Sequence, residues 1–195
     1  MKIKEIISWP FETWANTVLS AFIGAIIFAG IVITFDSMAS REKETYPHFR
    51  MPVSAEIPKN PGYLPNAPRT YRNGVHEGID LEAEAGTPVR AGRSGKILEI
   101  GSDEGLDGIY IIIGHQFGPW YHSETWKTKY CHLSEVKVQK GQKVERGQVI
   151  ALSGCTGYCL EPHLHFAIYR PDGTFLGKDY DELELQLLLS KYIQP

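Results

Sequence analysis

Hydrophobic residues follow three different rhythms along this chain. From Thr17 to Phe35 the run TVLSAFIGAIIFAGIVITF holds nineteen residues without a charge. At a helical rise of about 1.5 Å per residue it reaches roughly 28 Å, close to the thickness of a bilayer's hydrocarbon core. A membrane-spanning helix is therefore expected over 17–35. Trp9, Phe11 and Trp14, in the juxtamembrane segment 1–16, fall where interfacial aromatics sit. The apolar core of a secretory signal is usually only about 7–15 residues long, so an uncleaved anchor is the expected form. Lys2 and Lys4 precede the span while Arg41, Lys43 and Arg50 follow it, and this balance leaves the positive-inside rule undecided.

The second rhythm, over 36–69, has no regular period. Six of the chain's twelve prolines fall between Pro47 and Pro68. Proline lacks an amide hydrogen and fixes φ, so this density opposes helix interior and central strand and favours an extended tether. Phe49, Met51, Val53, Ile57, Tyr63 and Leu64 are interspersed, which allows part of the tether to lie along the following domain.

The third rhythm starts near residue 70. Short alternating apolar runs are punctuated by glycine, the pattern of an all-β domain, here placed at 70–178. Candidate strands are GKILEI, GIYIIIG, the stretch around TKYCHL, VIALS and HLHFAIY. Gly86-x-x-Val89-x-x-Gly92 is echoed by Gly141-x-x-Val144-x-x-Gly147, and each is followed by an apolar strand. The echo reads as two copies of one glycine-turned hairpin. Leu185, Leu188, Leu189 and Tyr192 recur at helical spacing, predicting a short amphipathic helix in the C-terminal segment 179–195.

Composition changes this picture little. A net charge of −3 gives no electrostatic case for nucleic acid. Cys155 and Cys159 lack the second pair that a structural zinc site needs, so a local disulfide is expected if the domain faces an oxidising compartment. Cys131 is left as a buried apolar residue.

Candidate chemistry comes from two short motifs. In HLHF, strand alternation puts His163 and His165 on one face, with Leu164 and Phe166 on the other. In VHEGID, a strand would put His76, Gly78 and Asp80 on one face, with the glycine leaving open space for a cation. Each motif alone is weak, but together they are complementary. A hydrolytic zinc site takes three ligands from His, Asp or Glu and keeps one position for water. His76, Asp80 and one histidine of the pair meet that requirement. The other histidine is then placed to act on water or substrate. His132, beside an aromatic in a candidate strand, is a further imidazole.

These residues resemble the lysostaphin/LytM-type zinc endopeptidases, which cut peptide bonds in bacterial peptidoglycan. The landmarks are H-x-G-x-D at 76–80, GTPV at 86–89, Y-x-H-L-S at 130–134, KGQKVERGQVIALSG, and TG…PHLHF ending at Phe166. The resemblance covers about half the chain, from Tyr71 to Phe175. It implies a compact, barrel-like antiparallel β domain with a substrate groove. It also implies one Zn²⁺ held by His76, Asp80 and His165, with His132 and His163 as the catalytic pair. On that footing the expected function is a membrane-anchored zinc metalloendopeptidase acting on peptidoglycan peptides, its domain on the outer side of the cytoplasmic membrane.

Departures from the family pattern lie outside those five positions. GHQFGPWYHSETWKTKY is long and aromatic, either a groove-wall loop or an insertion, and His115 and His122 lie within it. Glu161 stands where a small residue is usual, and Ala167 where an acidic one is. A non-catalytic wall-binding or amidase-regulating domain is the first alternative. Such relatives lose ligands, whereas all five positions are intact here. A biotinyl- or lipoyl-type carrier is the second, and it has no use for Asp80. The sequence leaves the oligomeric state open.

Overall fold

The alternating runs either side of Asp107 form the longest antiparallel ladders among the described residues. Gly95–Asp103 (β4), Gly108–Phe117 (β5) and Glu124–Val136 (β6) lie side by side, with Ile97, Ile111, Ile113 and Tyr130 turned into the core. The structure is a computed structural model, which describes residues 47–70, 74–118 and 123–194. The expected span over 17–35 and His122 lie outside the described residues. Among the described residues, no helix is long and apolar enough to cross a membrane.

The other strands are Phe49–Arg50 (β1), Ile79–Glu82 (β2), Pro88–Arg90 (β3), Lys143–Val144 (β7), Val149–Ser153 (β8), His163–Tyr169 (β9) and Ile193–Gln194 (β10). The main sheet runs β2-β9-β6-β5-β4-β7, and β8 joins it by pairing with both β6 and β3. Every pairing within it is antiparallel. The fold is therefore mostly antiparallel β, as expected, and among the described residues the one α-helix is the short Glu182–Tyr192 (α1). Asp181 and Glu184 close a reciprocal capping box at the start of α1, and Leu185, Leu189 and Tyr192 bury its inner face.

The glycine echo has a different outcome from two separate hairpins. β3 from the first copy pairs with β8 from the second, while β7 from the second pairs with β4 after the first. The exchange is reciprocal in its hydrogen bonds. Ala91 accepts from Gly147 and donates to Gln148, as Ile97 accepts from Gly141 and donates to Gln142. Each copy finds its ladder in the other.

The proline-rich stretch 47–69 packs against this sheet. Phe49, Val53 and Leu64 are buried, and β1 runs parallel to β10 at the C-terminal end. Prolines prevent the stretch from entering the sheet interior. Its apolar residues still gain by leaving water, so it forms a strap around the domain.

Within GHQFGPWYHSETWKTKY the described residues mostly continue β5 and β6. Phe117 and Trp126 pack with Phe49 and Tyr192. His115 is fully buried between the Ser94 carbonyl and the Thr128 hydroxyl, so it is a core residue. Burial pushes its pKa down from 6.5 to about 4. As pH falls through 6.5 the unfolded chain takes a proton that folded His115 refuses. Stability attributable to this group is complete above that value and declines toward pH 4, by up to about 1.4 kcal/mol per pH unit. Urea midpoints at about pH 7 and about pH 5 should therefore differ more in the wild type than in His115→Gln. Equal differences in the two proteins would rule out this contribution.

Candidate metal centre and its neighbouring histidines

Strand register brings the two histidine motifs together. Across the β2–β9 ladder Asp80 lies opposite His165, and Glu82 lies opposite His163. Directly opposed residues share a face with their Cβ atoms about 5 Å apart, so the Asp80 carboxylate meets the His165 ring. His76 precedes β2 instead of belonging to it. The strap holds it there: its N–H donates to Ala67, its carbonyl accepts from Asn66, and its Nδ1–H donates to the Leu64 carbonyl at 2.9 Å. That last bond leaves Nε2 with its lone pair facing inward.

The result is a triangle of donor atoms. His76 Nε2 lies 3.0 Å from Asp80 Oδ1 and 2.9 Å from His165 Nδ1, and His165 Nδ1 lies 2.9 Å from Asp80 Oδ1. Two ring nitrogens and a carboxylate oxygen this close repel one another unless a proton or a cation lies between them. Among the described residues this is the one group of three or more such side chains able to hold a metal ion. The donor set, two imidazoles and one carboxylate, suits a borderline cation such as zinc. Arg69 lies 3.4 Å from the other oxygen, Asp80 Oδ2, and also donates to the Gly62 carbonyl at 2.7 Å. Burial opposes ionisation of Asp80, but the adjoining rings of His165 and His76 outweigh it and hold the carboxyl far below its usual range.

Gly78 has a different part from the one its position in VHEGID predicts. A Cβ there would stand 2.5 Å from the Phe166 carbonyl oxygen and 3.0 Å from His165 Cε1. The glycine permits close backbone approach to β9 and does not open space for a cation.

His132 and His163 stand beside the triangle, their ring centroids 4.6 Å apart. His163 Nε2 is 3.7 Å from Asp80 Oδ1, and its Nδ1–H donates to the Glu161 carbonyl at 2.7 Å. His132 donates from Nδ1 to the Thr156 carbonyl at 2.9 Å. Its backbone is unusual. Ile109 pairs with Leu133 and Ile111 with Tyr130, so Cys131 and His132 together oppose Tyr110 alone. In this bulge His132 takes φ 61°, a left-handed conformation that non-glycine residues rarely adopt. Burial, and the neighbouring His163, lower its affinity for a proton, although the Thr156 carbonyl opposes this.

All five side chains line one groove, together with Tyr63 of the strap and Leu106, Tyr158 and Leu160. Cys155 and Cys159 are bonded, with their α-carbons 5.3 Å apart, and Cys131 is a buried thiol whose Sγ donates to Asp107. Sequence reasoning missed the supporting groups: the carbonyls of Leu64, Thr156 and Glu161, and the Arg69 side chain. A carbonyl belongs to every residue, so no residue type announces it.

Fold and site together define a class: an antiparallel β domain with a His–Asp–His cluster able to hold a cation at a groove. The chain belongs to peptidase family M23, whose model matches residues 74–178. Over 101 residues it is 40% identical to peptidoglycan DD-endopeptidase ShyA of Vibrio cholerae, covering 52% of this chain and 22% of that one. Lysostaphin of Staphylococcus staphylolyticus is 41% identical over 109 residues, 55% of this chain and 21% of that one. The chain thus spans about a fifth of the length of these curated relatives. The crystallised catalytic domain of lysostaphin from Staphylococcus simulans aligns over 69% of this chain and 93% of its own, with 31% identity and a TM-score of 0.50.

Proposed function

We propose that this protein is a membrane-anchored zinc endopeptidase that hydrolyses peptide bonds in bacterial peptidoglycan. The observation that carries the proposal is the meeting of a three-atom cation site with two imidazoles whose Nδ1 atoms are bound to carbonyls. Zinc held by His76, Asp80 and His165 would supply a Lewis acid that acidifies water and draws charge from the scissile carbonyl. The chain's own residues supply the proton chemistry. With Nδ1–H committed to the carbonyls of Thr156 and Glu161, His132 and His163 each keep Nε2 to accept or return a proton. One takes the proton of the attacking water. A protonated imidazole then stabilises the oxyanion and returns a proton to the departing amine. Because Arg69 engages Oδ2, Oδ1 of Asp80 is left to face the cation.

The peptidoglycan substrate is supported by the names of the endopeptidase relatives. Placement outside the cytoplasmic membrane is supported by the Cys155–Cys159 bond, which belongs in an oxidising compartment. Purified full chain, loaded with zinc, should release new amino groups from isolated sacculi, with mass analysis identifying the cut bond. His163→Ala should not. Sacculi from both cross-link types, direct and glycine-bridged, left uncut would overturn the assignment. A reporter joined after Pro195 should work only as an exported fusion, and cytoplasmic activity would overturn the placement.

A further inference from the structure

We infer that Thr156 is a positioning residue for this reaction, its side chain fixing the carbonyl that sets the tautomer and ring angle of His132. The inference rests on the proposed proton-transfer role of His132. Its starting point is the bulge in β6. At φ 61° the His132 backbone leaves the regular ladder, so strand geometry alone does not aim its ring. The ring is aimed by one hydrogen bond, from Nδ1 to the Thr156 carbonyl at 2.9 Å. A carbonyl can only accept, so this bond selects the Nδ1–H tautomer and leaves the Nε2 lone pair for proton transfer.

The threonine side chain holds that carbonyl in place. Its Oγ1 donates to the Leu133 carbonyl at 2.8 Å and accepts the Ile109 N–H at 2.9 Å. Ile109 and Leu133 are the register partners at the bulge's edge. One hydroxyl thus bridges the two strands beside the residue whose ring it serves. The bridge needs a group that donates and accepts at once, which serine shares and valine lacks. Backbone contact completes the seat. A Cβ on Gly108 would stand 2.3 Å from the Thr156 carbonyl carbon and oxygen, so only glycine lets the turn come this close. Gly157 follows at φ 74°, and the Cys155–Cys159 bond closes the loop around both residues.

The test uses zinc-loaded full chain in detergent and a cross-linked muropeptide that the wild type cleaves. Thr156→Val should lower kcat by about 100-fold, the scale for an ångström of misplacement in a catalytic group. KM and zinc content should be unchanged, and Thr156→Ser should recover most of the rate. In the wild type, ¹⁵N imidazole spectra should show His132 as the Nδ1–H tautomer, and in Thr156→Val as a mixture. Wild-type kcat in Thr156→Val, or equal losses in the valine and serine variants, would overturn the inference. An Nε2–H tautomer in the wild type would do so without any variant. His132→Ala separates the two claims: if it stays active, His132 has no proton-transfer role. If it is inactive while Thr156→Val is not, only the role of Thr156 falls.

Discussion

Asp80→Ala is expected to lose bound zinc and hydrolysis together, whereas His163→Ala should keep zinc and lose about 10²–10⁴-fold in rate. The split follows from distance. His76 Nε2, Asp80 Oδ1 and His165 Nδ1 stand within 3.0 Å of one another, while His163 Nε2 is 3.7 Å from the carboxylate oxygen. Exposure points the same way for His163, whose side chain is 23% exposed against 6% for those of His76 and His165, but not for His132, which is as buried as they are. A partly buried carboxylate between two imidazoles favours a cation. Without Asp80 the two nitrogens of His76 and His165 face each other at 2.9 Å with no negative charge to offset a dication. His76→Ala and His165→Ala should behave like Asp80→Ala, and His132→Ala like His163→Ala. Metal content by atomic emission and hydrolysis of sacculi, measured on the same samples, read both halves. Comparable zinc loss in all five variants would dissolve the distinction between ligands and proton-transfer groups.

The site was more legible in sequence than its supports were. His76, Asp80, His163 and His165 declare themselves because side-chain type and strand alternation carry the signal. Register then does the rest, placing Asp80 opposite His165. His132 was harder, because a bulge depends on how two strands mismatch and not on either strand's own pattern. The β strands were visible as apolar runs between glycines, yet their partners were not. The Gly86 and Gly141 echoes read as hairpins in sequence, whereas in the fold β3 pairs with β8 and β4 with β7. Prolines in 47–69 argued for a tether, but burial of Phe49, Val53 and Leu64 depends on surfaces that only the folded sheet provides. That strap matters to the chemistry, because Leu64, Ala67 and Asn66 are what hold His76 at the site.

Gly78→Ala should damage the site as severely as loss of a proposed ligand, although glycine brings no side chain to it. The added methyl would stand 2.5 Å from the Phe166 carbonyl oxygen, where Cβ atoms essentially never come, and 3.0 Å from both Ala167 Cβ and His165 Cε1. The obstruction is backbone in the middle of a sheet, so no flexible side chain can yield. Phe166 and Ala167 are each bonded into β6 on the other side, opposite Tyr130 and Lys129. Relief must come from β2 moving away from β9, which separates Asp80 from His165 and pulls on His76. Overpacking of this kind costs about 1–3 kcal/mol, a large share of the roughly 5–15 kcal/mol by which domains are stable. The expected result is a lower urea midpoint together with weakened zinc affinity, since Asp80 and His165 ride on the two strands forced apart and His76 lies just before β2. Gly141→Ala is the comparison, because no atom lies within 4 Å of its added methyl and only the positive φ of 86° is strained. It should lose some stability and retain zinc. If Gly78→Ala binds zinc as tightly as the wild type, the close β2–β9 approach is not what sets the ligand triangle.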